Sequence, residues 1–287
     1  MTPDSPAYHL KWSGHTDCGK VRKNNEDSFL GLLIDASGAR YLGKIGESDS
    51  AGADFVFAVS DGMGGAMAGE FASKIAVEKI TKFLPPFFER TSDECSSTFE
   101  AVLRDIFAEI HRALEYLGSS YEECRDMGAT LSLCWFTPHW MYFAHVGDSR
   151  IYRLPKNGPM TQITEDDTYV AWLQRSGKIN EREAKSHPRR NVLQKSLGGG
   201  HQFAEPQVGA IALEPGDRFL LCTDGVTDGL YDERLEEFLR ASQDDPGKNI
   251  VRLAIEASGR DNATAMVIDV LDREVQAASA NMGKHSA

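Results

Sequence analysis

Short apolar runs separated by turn-forming residues recur along the whole chain. Those with strand character span residues 29–34, 55–59, 131–136, 141–146, 151–154, 219–222 and 265–271. They are rich in Val, Ile, Phe and Tyr and are bounded by Gly, Asp, Asn or Pro, which is the composition of strands closed by turns. Between them lie stretches of helical period. Phe99, Val102, Leu103, Ile106, Ile110, Leu114 and Leu117 fall at spacings of three and four and form one apolar face. Residues 69–84 place Ala72, Ile75, Ala76 and Phe83 on one side, and Pro85-Pro86 stops that helix. A helical insert is expected near 166–185 and another helix over 233–241. A last one opens at Asp245-Pro246, an N-cap followed by proline at the first helical position.

Strands and helices do not alternate cleanly, so a parallel doubly wound sheet is not expected. Antiparallel sheets with helices packed outside them, an α+β class, fit the order better. No internal repeat or low-complexity linker divides the chain, which predicts a single domain over 1–271. Residues 272–287, ending QAASANMGKHSA, lack apolar periodicity and are expected to be a disordered tail.

Composition narrows the class. The 287 residues are 41% hydrophobic and 26% charged, which is ordinary for a folded protein. Lys and Arg number 31 against 43 Asp and Glu, a formal net charge of -12. Nucleic acids and anionic membranes are bound through basic patches, so neither partner is expected. Five cysteines, odd in number and without CxxC spacing, suit a reducing compartment and argue against a zinc site or a disulfide framework. No signal peptide is read at the N-terminus, and no apolar run is long enough to span a bilayer. A cytoplasmic protein is expected.

The chemistry is carried by acids at strand ends. Asp61 follows FVFAV, Asp148 follows MYFAHV, and Asp224 follows FLLC. Asp27 precedes one strand and Asp261 precedes the last. Asp-Gly is also the commonest hairpin signal, and any single one of these is as well explained by a turn. The set is not, because Asp61-Gly62 and Asp224-Gly225 lead into helical segments, and a turn leaves Glu26-Asp27 and Asp261-Asn262 unexplained. Clustered carboxylates without Cys or His companions favour hard divalent cations such as Mg²⁺ and Mn²⁺. Two such ions can hold and deprotonate one water for attack on phosphorus. Other phosphate chemistries are missing their marks: no Cys-x5-Arg loop and no GxxxxGK[ST] occurs.

VRKNNEDSF, VSDGMGGAMAGE, GATLSLCWF, VGDSRIYRL, the TEDDTYVAWL to EAKSHPRRNVL segment, CTDGVTDGL and RDNAT stand in one order between about residues 12 and 271. In these motifs the chain resembles the metal-dependent protein phosphatases of the bacterial 2C type. The resemblance implies a four-layer α-β-β-α sandwich, two antiparallel sheets flanked by helix pairs, with metals at one edge. It further implies that Asp27, Asp61, the Gly62 carbonyl, Asp224 and Asp261 hold two core Mn²⁺ or Mg²⁺ ions, with Asp61 bridging. Glu26 would orient the attacking water, Arg22 would clamp the substrate phosphate, and Asp148 and Asp228 would hold a weaker third ion. The alternative for Arg22 is a surface salt bridge.

Two positions depart from the family pattern. Ala66 stands where many relatives have His, and Thr164-Glu165-Asp166-Asp167-Thr168 stands where many bacterial members read T-x-D-H-S. Neither removes an expected metal ligand, but both withdraw an imidazole. His187 reads as structural or substrate-contacting. The function expected is hydrolysis of phosphoserine and phosphothreonine on proteins by a monomer that opposes a Ser/Thr kinase. The rivals are a catalytically weak signalling module that binds a protein partner and a phosphatase for a small metabolite.

Overall fold

A computed structural model describes residues 8–85, 96–203, 205–241 and 243–273. The first strands are β1 (Tyr8–Asp17), β2 (Asp27–Asp35), β3 (Gly38–Tyr41), β4 (Ile45–Asp49) and β5 (Ala53–Met63). Helices α1 (Ala66–Phe83) and α2 (Ser96–Ser120) follow. Next come β6 (Gly128–Ala129), β7 (Leu131–Phe136), β8 (Trp140–Val146), β9 (Arg150–Leu154) and β10 (Thr161–Gln162). The insert contains α3 (Tyr169–Arg175) and α4 (Glu181–Ser186), then β11 (Leu197–Gly198), β12 (Gln207–Ala212) and β13 (Arg218–Cys222). Helices α5 (Asp224–Thr227), α6 (Asp232–Arg240) and α7 (Pro246–Ala257) precede the last strand, β14 (Ala263–Asp272).

The central strands are apolar on both faces because both faces are covered. Along β7, Leu131, Leu133 and Trp135 enter one core while Cys134 and Phe136 enter a second. Along β13, Phe219 and Leu221 join that second core, while Leu220 and Cys222 join a third. Successive side chains of a strand point to opposite faces, so these memberships define four layers. Helices α1 and α2 cover the larger sheet, the sheets pack on each other, and α5, α6 and α7 cover the smaller sheet. Every ladder is antiparallel. The smaller sheet runs β10-β9-β13-β14-β1-β4; the larger runs β11-β6-β5-β7-β8-β12, with β2 on β5 and β3 on β2. Phe99 stacks on Tyr142 at 4.0 Å and seats α2 on its sheet. Such an aromatic pair adds roughly 1 kcal/mol beyond its buried area.

All seven apolar runs are strands, and each expected helix forms, the insert as two short ones. Asp245 caps α7 through Lys248 N–H, as its sequence implies. Strands β1, β3, β4, β6, β10, β11 and β12 are additional, and β6, β10 and β11 are only two residues long. The longer ones bury one face or lie at a sheet edge, so they show no continuous apolar run; in β1 the large apolar side chains that turn inward are the alternating Tyr8, Leu10 and Trp12. Strand β5 also runs four residues past its apolar stretch, so Asp61 lies within a strand and not after it. The expected tail falls outside the described residues apart from Asp272, which ends β14, and Arg273. Among the described residues no helix is long and apolar enough to cross a membrane, and Cys18, Cys124, Cys134 and Cys222 are free.

Candidate active site

The antiparallel register of β2 and β5 sets Asp27 directly opposite Asp61. Like charges across a ladder are unfavourable, so strand pairing does not account for this pair. Asp224 opens α5 two residues past the end of β13, and Asp261 lies two residues before β14, the neighbour of β13. Asp148 sits in the turn between β8 and β9. That turn needs Gly147, whose φ is 110°, and a Cβ there would stand 2.6 Å from the Thr130 side chain.

Seven of the expected residues, Arg22, Glu26, Asp61, Gly62, Asp148, Asp224 and Asp261, line one cavity of about 240 Å³. Asp27 is buried and does not line it. Asp228 is not part of it either. It opens onto an adjoining groove of about 590 Å³ that shares Asp148 and Asp224 with the cavity, and it faces Arg190 at 3.7 Å. Asn191 and Leu193, from the chain that follows α4, also line the cavity, as do Thr130 and residues 63–65.

Polar side chains set inside apolar segments brace these acids. Asp27 Oδ2 accepts from the Thr223 and Thr264 hydroxyls at 2.8 and 2.7 Å, while its Oδ1 is buried with no hydrogen-bond partner. Asp61 N–H donates to Thr130 Oγ1 at 3.0 Å, and Thr130 Oγ1 lies 2.6 Å from Ser149 Oγ. Asn262 accepts from Glu26 N–H at 2.8 Å and donates to the carbonyls of Cys18 and Asn24, which ties the Arg22 loop to the start of β14. Thr130, Thr223, Asn262 and Thr264 were not singled out from sequence. Their signal was there, as hydroxyls and an amide within GATL, CTDG and RDNAT.

Burial and mutual repulsion dominate the electrostatics. Burial pushes Asp27 up to about 7, against the pull of its two threonine hydroxyls. Asp148 also rises to about 7, through burial and then Asp166. Asp61 and Asp224 rise well above the usual carboxylate range, first by burial and then by repulsion from the acids around them. Glu26 rises through burial. Arg22, the expected phosphate clamp, donates to Asp261 Oδ2 at 2.7 Å. Among the described residues no three acid, His or Cys side chains stand as a preformed ion cage. Of the acids that share the cavity, Arg22 holds Asp261, and two hydroxyls hold Asp27 buried beside it.

Acids delivered by both stacked sheets to one cavity define a class of protein. The protein phosphatase 2C profile matches residues 44–256, and the chain belongs to that family. It is 33% identical over 264 residues to the serine/threonine protein phosphatase PstP of Mycobacterium tuberculosis. That alignment covers 92% of this chain and 45% of PstP, so the chain spans about half the length of that relative. The structure of the S. agalactiae serine/threonine phosphatase superposes with a TM-score of 0.76 at 27% identity, covering 91% of this chain and 99% of that one. The catalytic domain of PstP in complex with two manganese ions superposes with a TM-score of 0.73 at 31% identity, over 93% of this chain and 100% of that one.

Proposed function

We propose that the chain is a metal-dependent phosphatase that hydrolyses phosphoserine and phosphothreonine on proteins, acting in the cytoplasm as a monomer against a Ser/Thr kinase. Two Mn²⁺ or Mg²⁺ ions would be held by Asp27, Asp61, the Gly62 carbonyl, Asp224 and Asp261, with a weaker third at Asp148 and Asp228. The observation that carries the proposal is the gathering of acids around one cavity, with Asp27 Oδ1 buried and unpartnered beside it.

The residues fit such ions. The donors are all hard oxygens, the type that Mg²⁺ and Mn²⁺ prefer. A cation next to Asp27 supplies the missing partner and offsets the repulsion that raises these carboxyls. A Cβ on Gly62 would lie 1.9 Å from the Gly69 carbonyl, so only bare backbone fits there, among the acids. The two manganese ions of the PstP catalytic domain lend support from a relative.

When bound, such ions supply an acidified water for in-line attack on phosphorus and offset the charge that develops there. The protein supplies the rest. Asp261 would hold an ion in place of Arg22, and the guanidinium fork thus freed would receive two phosphate oxygens. Glu26, at the cavity wall, accepts a hydrogen bond from the attacking water and fixes its direction. Water or a nearby acid protonates the leaving alkoxide. Purified protein should hydrolyse a phosphothreonine peptide with Mn²⁺, stop in chelator, and prefer the peptide to small phosphorylated metabolites. Full activity in chelator would overturn the two-ion mechanism, and a preference for metabolites would overturn the substrate class.

A further inference from the structure

Asp167 is a buried acid outside the expected ligand set. We infer that Asp167 and Lys195 form a positioning pair that fastens the Asp148 turn of the site to both ends of the 164–195 segment. The consequence for catalysis rests on the phosphatase reading; the fastening itself does not.

Gly147, immediately before Asp148, is held at both its N–H and its carbonyl. Its N–H donates to Asp167 Oδ2 at 3.2 Å, and its carbonyl accepts from Asp167 N–H at 2.7 Å. The same carbonyl lies 3.1 Å from His145 Nε2, which must therefore carry the proton and donate. The other Asp167 oxygen, Oδ1, meets Lys195 Nζ at 3.0 Å, and the Asp167 carbonyl accepts from Gln194 N–H at 2.7 Å. One residue further, Thr168 bridges Leu193, and Tyr169 N–H donates to Val192 O at 2.9 Å. The segment carrying α3 and α4 thus closes at its neck, and the neck closes on Gly147. Asn191 and Leu193, on the returning strand of that neck, line the catalytic cavity.

Asp167 is 6% exposed, and both of its oxygens are used. A neutral imidazole could not make these contacts. With one ring nitrogen accepting from Gly147, the other would point a proton at the Lys195 ammonium, donor against donor. Aspartate at 167 and lysine at 195 therefore suit each other, and bonds to a charged group are the stronger kind. Because Asp148 lines both the cavity and the adjoining groove, a Gly147 peptide set loose would move that carboxylate.

The test compares wild type with Asp167→Ala, Asp167→Asn and Lys195→Met. It uses amide exchange at Gly147, calorimetric Mn²⁺ titration, and kcat and KM on a phosphothreonine peptide. Asp167→Ala should speed exchange at Gly147 about tenfold or more, the worth of a charge-assisted hydrogen bond, while Leu133 in the middle of β7 stays at the wild-type rate. The weakest Mn²⁺ step should weaken and kcat should fall, with KM changed little. Asp167→Asn keeps an acceptor for Gly147 N–H and should restore exchange and most of kcat. Lys195→Met, at the more exposed partner, should speed exchange at Gln194 and Lys195 more than at Gly147. Wild-type exchange at Gly147 in Asp167→Ala would overturn the pair, as would an Asn variant no better than Ala. If Asp167→Ala does not fold, the Asn and Met variants decide by the same readouts. A wild type that turns over no phosphopeptide, with Gly147 still loosened by Asp167→Ala, defeats the phosphatase reading and leaves the pair standing.

Discussion

Asp27 keeps one buried carboxylate oxygen unpartnered while two threonines serve the other, and Arg22 spends its guanidinium on Asp261. On the proposed reading both states would change when cations bind, which makes single substitutions informative. Asp61→Asn removes one of several mutually repelling charges. It should leave the unfolding temperature in chelator unchanged or higher, yet lower Mn²⁺-dependent turnover by roughly a hundredfold or more, the scale of losing a group that organises transition-state charge. A variant with wild-type turnover would remove Asp61 from the ligand set. If Arg22 touched phosphate alone, Arg22→Ala would leave metal binding unchanged. The 2.7 Å contact with Asp261 changes that expectation, because the carboxylate is freed when the guanidinium goes. The Mn²⁺ concentration for half-maximal activity should fall while KM for a phosphopeptide rises, by about tenfold for a lost charge-assisted bond. Kinetics unchanged in both respects would leave Arg22 as a surface salt bridge.

Between elements, two glycines set how closely backbone approaches at the site. A Cβ on Gly62 would lie 1.9 Å from the Gly69 carbonyl of α1, and one on Gly225 would lie 1.8 Å from the Asn262 carbonyl before β14. Each obstacle is backbone, which cannot swing aside as a side chain can. Gly62→Ala and Gly225→Ala should each destabilise the fold by about 1–3 kcal/mol or more, the usual cost of overpacking. Gly43→Ala meets its nearest atom at 3.5 Å and should be close to neutral. Thermal unfolding of the three variants checks this, and equal midpoints would show that strand and helix separate easily. The elements themselves were legible where the pattern is strong. Two-sided burial writes continuous apolar runs such as LSLCWF in β7, and one-sided helical burial writes the period of three and four in α2. Edge and half-buried strands such as β4 and β12 were not legible, since exposure on one face dilutes the same signal.

For the whole molecule, the gathered acids predict an unusual dependence on pH. Asp27 and Asp148 rise to about 7, and Asp61 and Asp224 rise well above normal. A carboxyl whose pKa is higher folded than unfolded stabilises the fold fully below its unfolded value, near 4. It loses that contribution as pH climbs through the folded value. Buried His145 and His111, held below the usual imidazole range mainly by burial, act in the opposite sense and lose stability below about 6.5. Four carboxyls outweigh two imidazoles. In chelator the protein should therefore be more stable at pH 5 than at pH 8, and Mn²⁺ should stabilise it more at pH 8 than at pH 5. Unfolding scans at the two pH values, with and without Mn²⁺, test this. A chelated protein equally stable at both would show that these acids are not crowded.

At the same scale, the chain's own order marks the acids that gather at the cavity and Asp27 beside it. Asp27, Asp61, Asp148, Asp224 and Asp261 are legible because each stands next to an apolar run: Asp27 opens β2, Asp61 lies just past the apolar stretch of β5, and the other three flank β8, β13 and β14. Three things stayed out of reach: the opposition of Asp27 to Asp61, the hold of Arg22 on Asp261, and the grip of Asp167 on Gly147 and Lys195. Each joins residues 20 to 239 positions apart, and such contacts depend on strand register and on how two sheets stack. Register is fixed by the whole buried face of a strand and stacking by the packing of all four layers. Hydrophobic pattern therefore determined the elements and the acids at their ends, while packing of the complete chain decided which of those acids meet and what holds them.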